Sequence, residues 1–183
     1  MDLSTNNFFM SRADADFFAL DALEVAPRLL GQTLVRCFPD GSLARFTISE
    51  VEVYRGEEDL GCHAAKGRTP RTEVMYHRGG LVYVYLIYGM YWLLNIVTGP
   101  ADHPQAILIR SCREVSGPGR LGKALQLDKS FYGESLLTSQ RLWVELDSHL
   151  PPQPYITSPR IGIDYAGQHW GSIHWRYVWE RGG

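Results

Sequence analysis

Residues 81–97, "LVYVYLIYGMYWLLNIV", decide the fold. Two β-rich runs meet at Tyr88-Gly89-Met90, where Gly89 supplies the backbone angles a tight turn requires, so the segment predicts a β-hairpin. Tyr83 and Tyr85 fall on one face of the outgoing strand, Tyr88 stands at the turn, and Tyr91 and Trp92 begin the return. Core packing explains rings within strands, but it explains an aromatic at a turn poorly. Aromatic walls can sandwich a flat heterocycle, and a ring at a loop tip can act as a wedge between stacked bases.

Outward from the hairpin the pattern stays β-rich. Upstream, Gln32 to Cys37 and Ser42 to Tyr54 read as strands around the turn signal Pro39-Asp40-Gly41. Residues 55–80 carry Gly56, three consecutive acids, Pro70 and Gly79-Gly80, and have too little apolar periodicity for a long element. They predict a long irregular connection of the kind that carries binding residues. Apolar residues from Phe17 to Leu29 recur at helical spacing, which makes Asp14 to Leu30 a helix, or two short ones divided near Pro27. Downstream, Ala106 to Arg110 is a strand, and "SGPGRLGKALQL" leads through Pro118 into a short helix from about Arg120, whose open amides can meet a phosphate. The prolines of residues 150–160 mark a loop, and Ile161 to Tyr165 and His174 to Trp179 read as closing strands. The sum is an α+β fold: a single compact domain over residues 1–183 with a mostly antiparallel sheet, a protruding β-hairpin and surrounding helices. Residues 1–12 are a candidate flexible lead.

Composition agrees. The chain has 183 residues, 45% of them hydrophobic and 21% charged, which suits one core. No apolar run approaches the roughly 20 residues of a membrane helix, and the start lacks a basic region followed by an apolar stretch. Three cysteines without CxxC spacing point to a reducing compartment rather than a disulfide framework or a cysteine zinc site. The net charge of -2 conceals a split: residues 1–60 carry 5 basic and 11 acidic groups, residues 61–130 carry 9 and 4, and residues 131–183 carry 4 and 5. A central basic stretch interleaved with aromatics can bind phosphates locally; ordinary solvated charge is the plainer reading.

In "SEVEVY", residues 49–54, strand alternation puts Glu50, Glu52 and Tyr54 on one face and Val51 and Val53 on the other. A partly buried carboxylate there can act as a general base; a solvent-facing polar side is the alternative. Asn95 stands on an apolar strand, so its amide meets either a buried partner or a pocket. Arg110 ends the strand "AILIR" and would be answered by a carboxylate such as Glu52, or by a rim salt bridge. His63 has no second metal ligand at i, i+4 or HxH spacing, so neither a metal nor a cofactor is expected, and it reads as a pocket hydrogen-bond donor or a surface residue.

Taken together, "EVEVYRGEEDLGCHAAKGRTPR", "LVYVYLIYGMYWLLN", "AILIRS", "GPGRLGKAL" and "SPRIGID" occur in the order found in the alkyladenine DNA glycosylases, the mammalian type of 3-methyladenine DNA glycosylase. The chain resembles that family from about Leu20 to Glu180. The resemblance implies a monofunctional enzyme of base-excision repair that hydrolyses the N-glycosidic bond of a damaged purine (3-methyladenine, 7-methylguanine, hypoxanthine or ethenoadenine) and leaves an abasic site without cutting the strand. A base within a duplex is out of reach, so the nucleotide must be flipped out at a cost of roughly a few kcal/mol. By position, Tyr88 fills the vacated space, Tyr54 and His63 on one side and Tyr85 on the other hold the base, and Asn95 disfavours normal guanine. Glu52, Arg110 and the carbonyl of Ile161 would hold the attacking water, with Glu52 as general base and Arg110 orienting it.

Arg68, Arg71, Arg78, Arg120 and Lys123 are the expected phosphate contacts. The expected partner is double-stranded DNA carrying damaged purines, met by a monomer inside the cell, at a bacterial nucleoid in the cytoplasm or in a nucleus, and neither secreted nor on a membrane. The stretch "IVTGPADHPQ" is longer than its counterpart in the family, and the insertion near Asp102 is expected to alter the pocket rim. Two other classes compete. A non-catalytic module for damaged or unpaired nucleic acid would stack bases without needing Glu52. A sugar hydrolase would use Glu50 and Glu52 as its carboxylate pair but leaves the aromatic wedge without a role.

Overall fold

In the computed structural model, which describes residues 9–180, the chain runs β1 (Met10–Arg12), α1 (Ala15–Ala19), α2 (Ala22–Leu29), β2 (Thr33–Cys37), β3 (Leu43–Arg55), β4 (Val82–Ile87), β5 (Tyr91–Val97), β6 (Gln105–Cys112), α3 (Pro118–Ala124), β7 (Leu142–Asp147), β8 (Tyr155–Ser158), α4 (Gly167–Ser172) and β9 (Arg176–Trp179). The strands form one curled antiparallel sheet in the order β1-β7-β2-β3-β6-β5-β4; β9 pairs with β3, and β8 pairs with β9. This is the α+β single domain the sequence predicts, hairpin included.

The long strand β3 organises it. Its first half pairs with β2, and its second half lies between β6 and β9. The register shifts between Ile48 and Val51, a bulge that bends the strand and curls the sheet. Beyond the bulge the two faces separate cleanly. Val51 and Val53, with Ile107 and Ile109 of β6, Leu94 and Ile96 of β5 and Val82 and Val84 of β4, enter the main core. Helix α2 covers that face with Ala22, Val25, Ala26 and Leu29. Each valine, leucine or isoleucine among these contributes about 1.5–3 kcal/mol when fully buried. The opposite face carries the polar and aromatic residues of the candidate site.

Helix α3 braces the hairpin. Pro118 takes its first position, where a missing N–H is tolerated. A side chain at Gly122 would come within 1.9 Å of the Trp92 carbonyl oxygen, so only glycine lets α3 lie this close to β5. At the hairpin tip Tyr88 and Gly89 have φ of 51° and 65°, the pair of left-handed residues a tight two-strand turn uses.

Four expectations need correction. The helical segment divides at Leu20-Asp21, not near Pro27: the Asp21 side chain accepts from the Leu23 N–H and starts α2, and Pro27 lies inside that helix, at the cost of the bond its missing N–H would make to the Leu23 carbonyl. The proline-rich stretch 150–160 contains β8, an edge strand whose flanking prolines remove no ladder bond it needs. Ile161 to Tyr165 is not a strand; Gly162 takes a φ of 75° and the Ile161 N–H turns to a side chain instead of a ladder. Within the candidate flexible lead, Met10–Arg12 pair with β7, while residues 1–8 lie outside the described residues. Cys37, Cys62 and Cys112 are free thiols. Among the described residues no helix is long and apolar enough to cross a membrane.

Candidate active site

Register across the sheet assembles the site. Glu52 of β3 pairs with Leu108 of β6, Leu108 with Asn95 of β5, and Asn95 with Tyr83 of β4, so these four form one rung with their side chains on the same face. Two residues along each strand, the same face carries Tyr54, Ala106, Arg110, Leu93 and Tyr85. Together with loop residues that include His63, Tyr88, Ile161 and Tyr165, these line a cavity of about 370 Å³. Glu52 is not on its wall but directly behind it, fully buried.

Three cavity residues hold Glu52. The Ile161 N–H donates to its Oε1 at 2.7 Å, the Tyr54 hydroxyl donates to Oε2 at 2.8 Å, and Arg110 Nη1 lies 3.6 Å from Oε2. The alternative of a solvent-facing polar strand is thereby excluded for Glu52. Glu50 shares its face but serves differently: it accepts from the Nε atoms of Arg110 and Arg176 and from the Ser111 hydroxyl, so it anchors Arg110 from the far side. Burial, and the negative charge of Glu52 beside it, push the Tyr54 phenol well above its ordinary pKa, keeping it a neutral donor.

The walls are aromatic. His63 packs edge-on against Tyr85 with ring centroids 4.6 Å apart, and its Nδ1 lies 2.8 Å from the Tyr83 hydroxyl. The histidine therefore stands with Tyr85, which corrects its expected placement beside Tyr54: the loop from residue 55 to 80 carries it across to β4. Burial, then the charges of Arg71 and Lys66, lower the His63 pKa to about 4, so the ring is neutral near pH 7. Burial raises the Tyr83 pKa to about 12, so its hydroxyl stays protonated beside Nδ1, where either group can be the donor. Asn95, buried, donates from Nδ2 to the Tyr83 carbonyl at 3.2 Å and also lines the cavity, so both partners expected for its amide are present. At the mouth, Tyr88 is 87% exposed and Tyr165 69%. A non-glycine residue in the left-handed region costs roughly 1–2 kcal/mol, so the protein accepts strain to project Tyr88.

The basic residues divide. Arg71 (5.4 Å from the Tyr85 ring), Arg120 and Lys123 (4.7 Å from the Tyr91 ring) are exposed. Arg68 is engaged by Glu73 and Asp102, and Arg78 lies 3.6 Å from Asp16. The insertion near Asp102 does not reach the cavity rim: Asp102 faces a separate hollow and binds Arg68, because its backbone N–H is tied to the Tyr76 carbonyl. Sequence reasoning missed Asp59, Arg160 and Tyr165. Arg160 and Tyr165 lie in or beside the motif "SPRIGID" and Asp59 ends the acidic run, but nothing local marks them as partners.

A buried carboxylate fixed behind an aromatic slot, with a guanidinium and a peptide N–H aimed at it, is an arrangement suited to chemistry on a flat ring. The chain matches the methylpurine-DNA glycosylase family over residues 16–116 and 113–182. It is similar to proteins bearing the name 3-methyladenine DNA glycosylase from Psychrobacter cryohalolentis (40% identical over 195 residues, 89% of each chain), Natranaerobius thermophilus (36% over 188 residues, 91% of this chain and 94% of the relative) and Myxococcus xanthus (43% over 175 residues, 90% and 88%). The chain belongs to the methylpurine-DNA glycosylase family and is a monofunctional DNA glycosylase of DNA repair.

Proposed function

We propose that this protein flips damaged purines (3-methyladenine, 7-methylguanine, hypoxanthine and ethenoadenine) out of duplex DNA and hydrolyses their N-glycosidic bonds. The observation that carries the reading is the single sheet face that sets Glu52 behind a slot walled by Tyr54 and by Tyr85 with His63. The flipped base lies between Tyr54 and Tyr85. Cationic 3-methyladenine and 7-methylguanine gain from the ring faces, and neutral lesions gain from hydrogen bonding to His63. Asn95 is held by the Tyr83 carbonyl and meets the exocyclic amine of a normal guanine.

As the bond from the sugar to the base nitrogen lengthens, its electron pair leaves with the base and positive charge gathers on the sugar. A preorganised carboxylate stabilises that charge in a site closed to solvent. Glu52, Arg110 and the Ile161 carbonyl hold a water that attacks the anomeric carbon, and Glu52 takes its proton. An ionised carboxylate has about four lone-pair sites, so its bonds to Ile161 and Tyr54 leave lone pairs to accept from a water, which reaches this fully buried group only when the wall in front of it shifts. Tyr88 occupies the gap in the duplex. Arg71, Arg120 and Lys123 contact phosphates, and Arg68 and Arg78 join them by exchanging their carboxylate partners. The protein works on DNA inside the cell, as a monomer.

The test is base release from synthetic duplexes, each holding one such lesion, with abasic sites revealed by alkali. The expected result is free base and an intact strand before alkali. Tight binding of the damaged duplex without base release would overturn the reading in favour of a recognition module.

A further inference from the structure

Behind Tyr54, on the side away from the cavity, lies a second ionic group that the proposed chemistry does not use. Asp59 and Arg160 form a two-pronged ion pair at 2.6 and 2.8 Å, with both side chains sealed from solvent. Asp59 is saturated, because it also accepts the backbone N–H groups of Arg55 and Gly61. Arg160 further donates to the Val53 carbonyl at 3.0 Å, and its guanidinium lies 4.8 Å from the Tyr54 ring centre and 5.2 Å from that of Trp175. Its Nε–H is buried with no acceptor among the described residues.

A lysine could satisfy Asp59, but only a planar fork can grip a carboxylate with two prongs and lie between two rings. The connections of the pair all lead to the site. Val53 separates Glu52 from Tyr54. Ile161, whose N–H binds Glu52, follows Arg160 in the chain. Gly61 and Cys62, both bonded to Asp59, lead directly into His63.

We propose that Arg160, clamped by Asp59, is a positioning residue of the glycosylase, holding Tyr54 from behind and setting the Ile161 N–H on Glu52. This rests on the proposed base-excision reading. Such a residue touches neither base nor sugar, so its loss misplaces the groups that act on the anomeric carbon while capture of the damaged duplex persists.

The experiment measures single-turnover excision and duplex affinity separately for the parent, Arg160→Lys and Trp175→Leu, using one hypoxanthine duplex. Arg160→Lys is expected to keep duplex affinity within about threefold and to lose on the order of 30- to 100-fold in excision rate, the scale of an ångström of misplacement. Trp175→Leu removes the outer ring alone and is expected to lose roughly threefold, the scale of one cation–π contact; it decides the matter if Arg160→Lys does not fold. Excision at the parent rate by a folded Arg160→Lys, or equal losses in affinity and rate, would overturn the proposal. No base release by the parent would instead remove the excision reading on which it rests.

Discussion

Glu52 lies behind the cavity and Tyr88 at its mouth, and their surroundings are opposite. Glu52 is fully buried on a central strand and held from three directions; Tyr88 is 87% exposed on a strained turn, and its hydroxyl binds no group among the described residues. The chemical step gains most from groups that need not move, because a preorganised carboxylate reorganises little as charge develops. Entering a duplex requires the reverse, a rigid ring projecting beyond the protein surface. One sheet holds both residues: its central strands bury Glu52, and its edge hairpin projects Tyr88.

Mutations should separate the two regions. The largest effect is expected for Glu52→Gln, which keeps the shape and the acceptor for the Ile161 N–H, reverses the bond to Tyr54 so that the amide donates to the phenol oxygen, and removes the charge: single-turnover excision falls about 1,000-fold or more while damaged-duplex affinity is retained. A parallel loss of affinity would join the regions that the structure separates. Arg110→Met should lower the excision rate about 100-fold, because Glu50 and Glu52 both lose their shared cation. Asn95→Ser acts on the wall instead and should raise release of undamaged guanine several-fold, roughly the discrimination expected of a small steric element; unchanged guanine release would remove Asn95 from specificity.

The smallest effect concerns stability. The His63 pKa falls from its ordinary 6.5 to about 4 on folding, so between these values the unfolded chain binds more protons. The stabilisation tied to neutral His63 is therefore complete above about pH 6.5 and is lost as pH falls toward 4. His63→Gln should flatten the pH dependence of urea unfolding across that window, and parent and variant curves of the same shape would contradict it.

Local pattern made the hairpin legible, since Gly89 and the flanking alternation are adjacent in sequence, and alternation around Val51 and Val53 placed Glu52 and Tyr54 on one face. Arg110 could be matched to Glu52 because a cation at the end of an apolar strand needs an answer. Sequence could not show that Glu50 and Glu52 divide the work, one anchoring Arg110 from outside and one sealed behind Tyr54. The Asp59–Arg160 clamp joins residues 101 positions apart, and neither has a periodic or motif signal that names the other. The same limit misplaced His63, whose contact with Tyr85 depends on the path of an irregular loop. It also misjudged the Asp102 insertion, which tertiary bonding to Tyr76 and Arg68 draws away from the cavity.

The division between floor and tip is tested most directly by one ratio: excision of the same lesion from a paired duplex and from an unpaired strand, measured for the parent, Glu52→Gln and Tyr88→Ala. Tyr88→Ala is expected to lose about tenfold on the paired substrate, the scale of a stacking contact worth 1–3 kcal/mol, and little on the unpaired one, whereas Glu52→Gln lowers both alike. Equal losses by Tyr88→Ala on both substrates, or base release by Glu52→Gln at the parent rate, would contradict it.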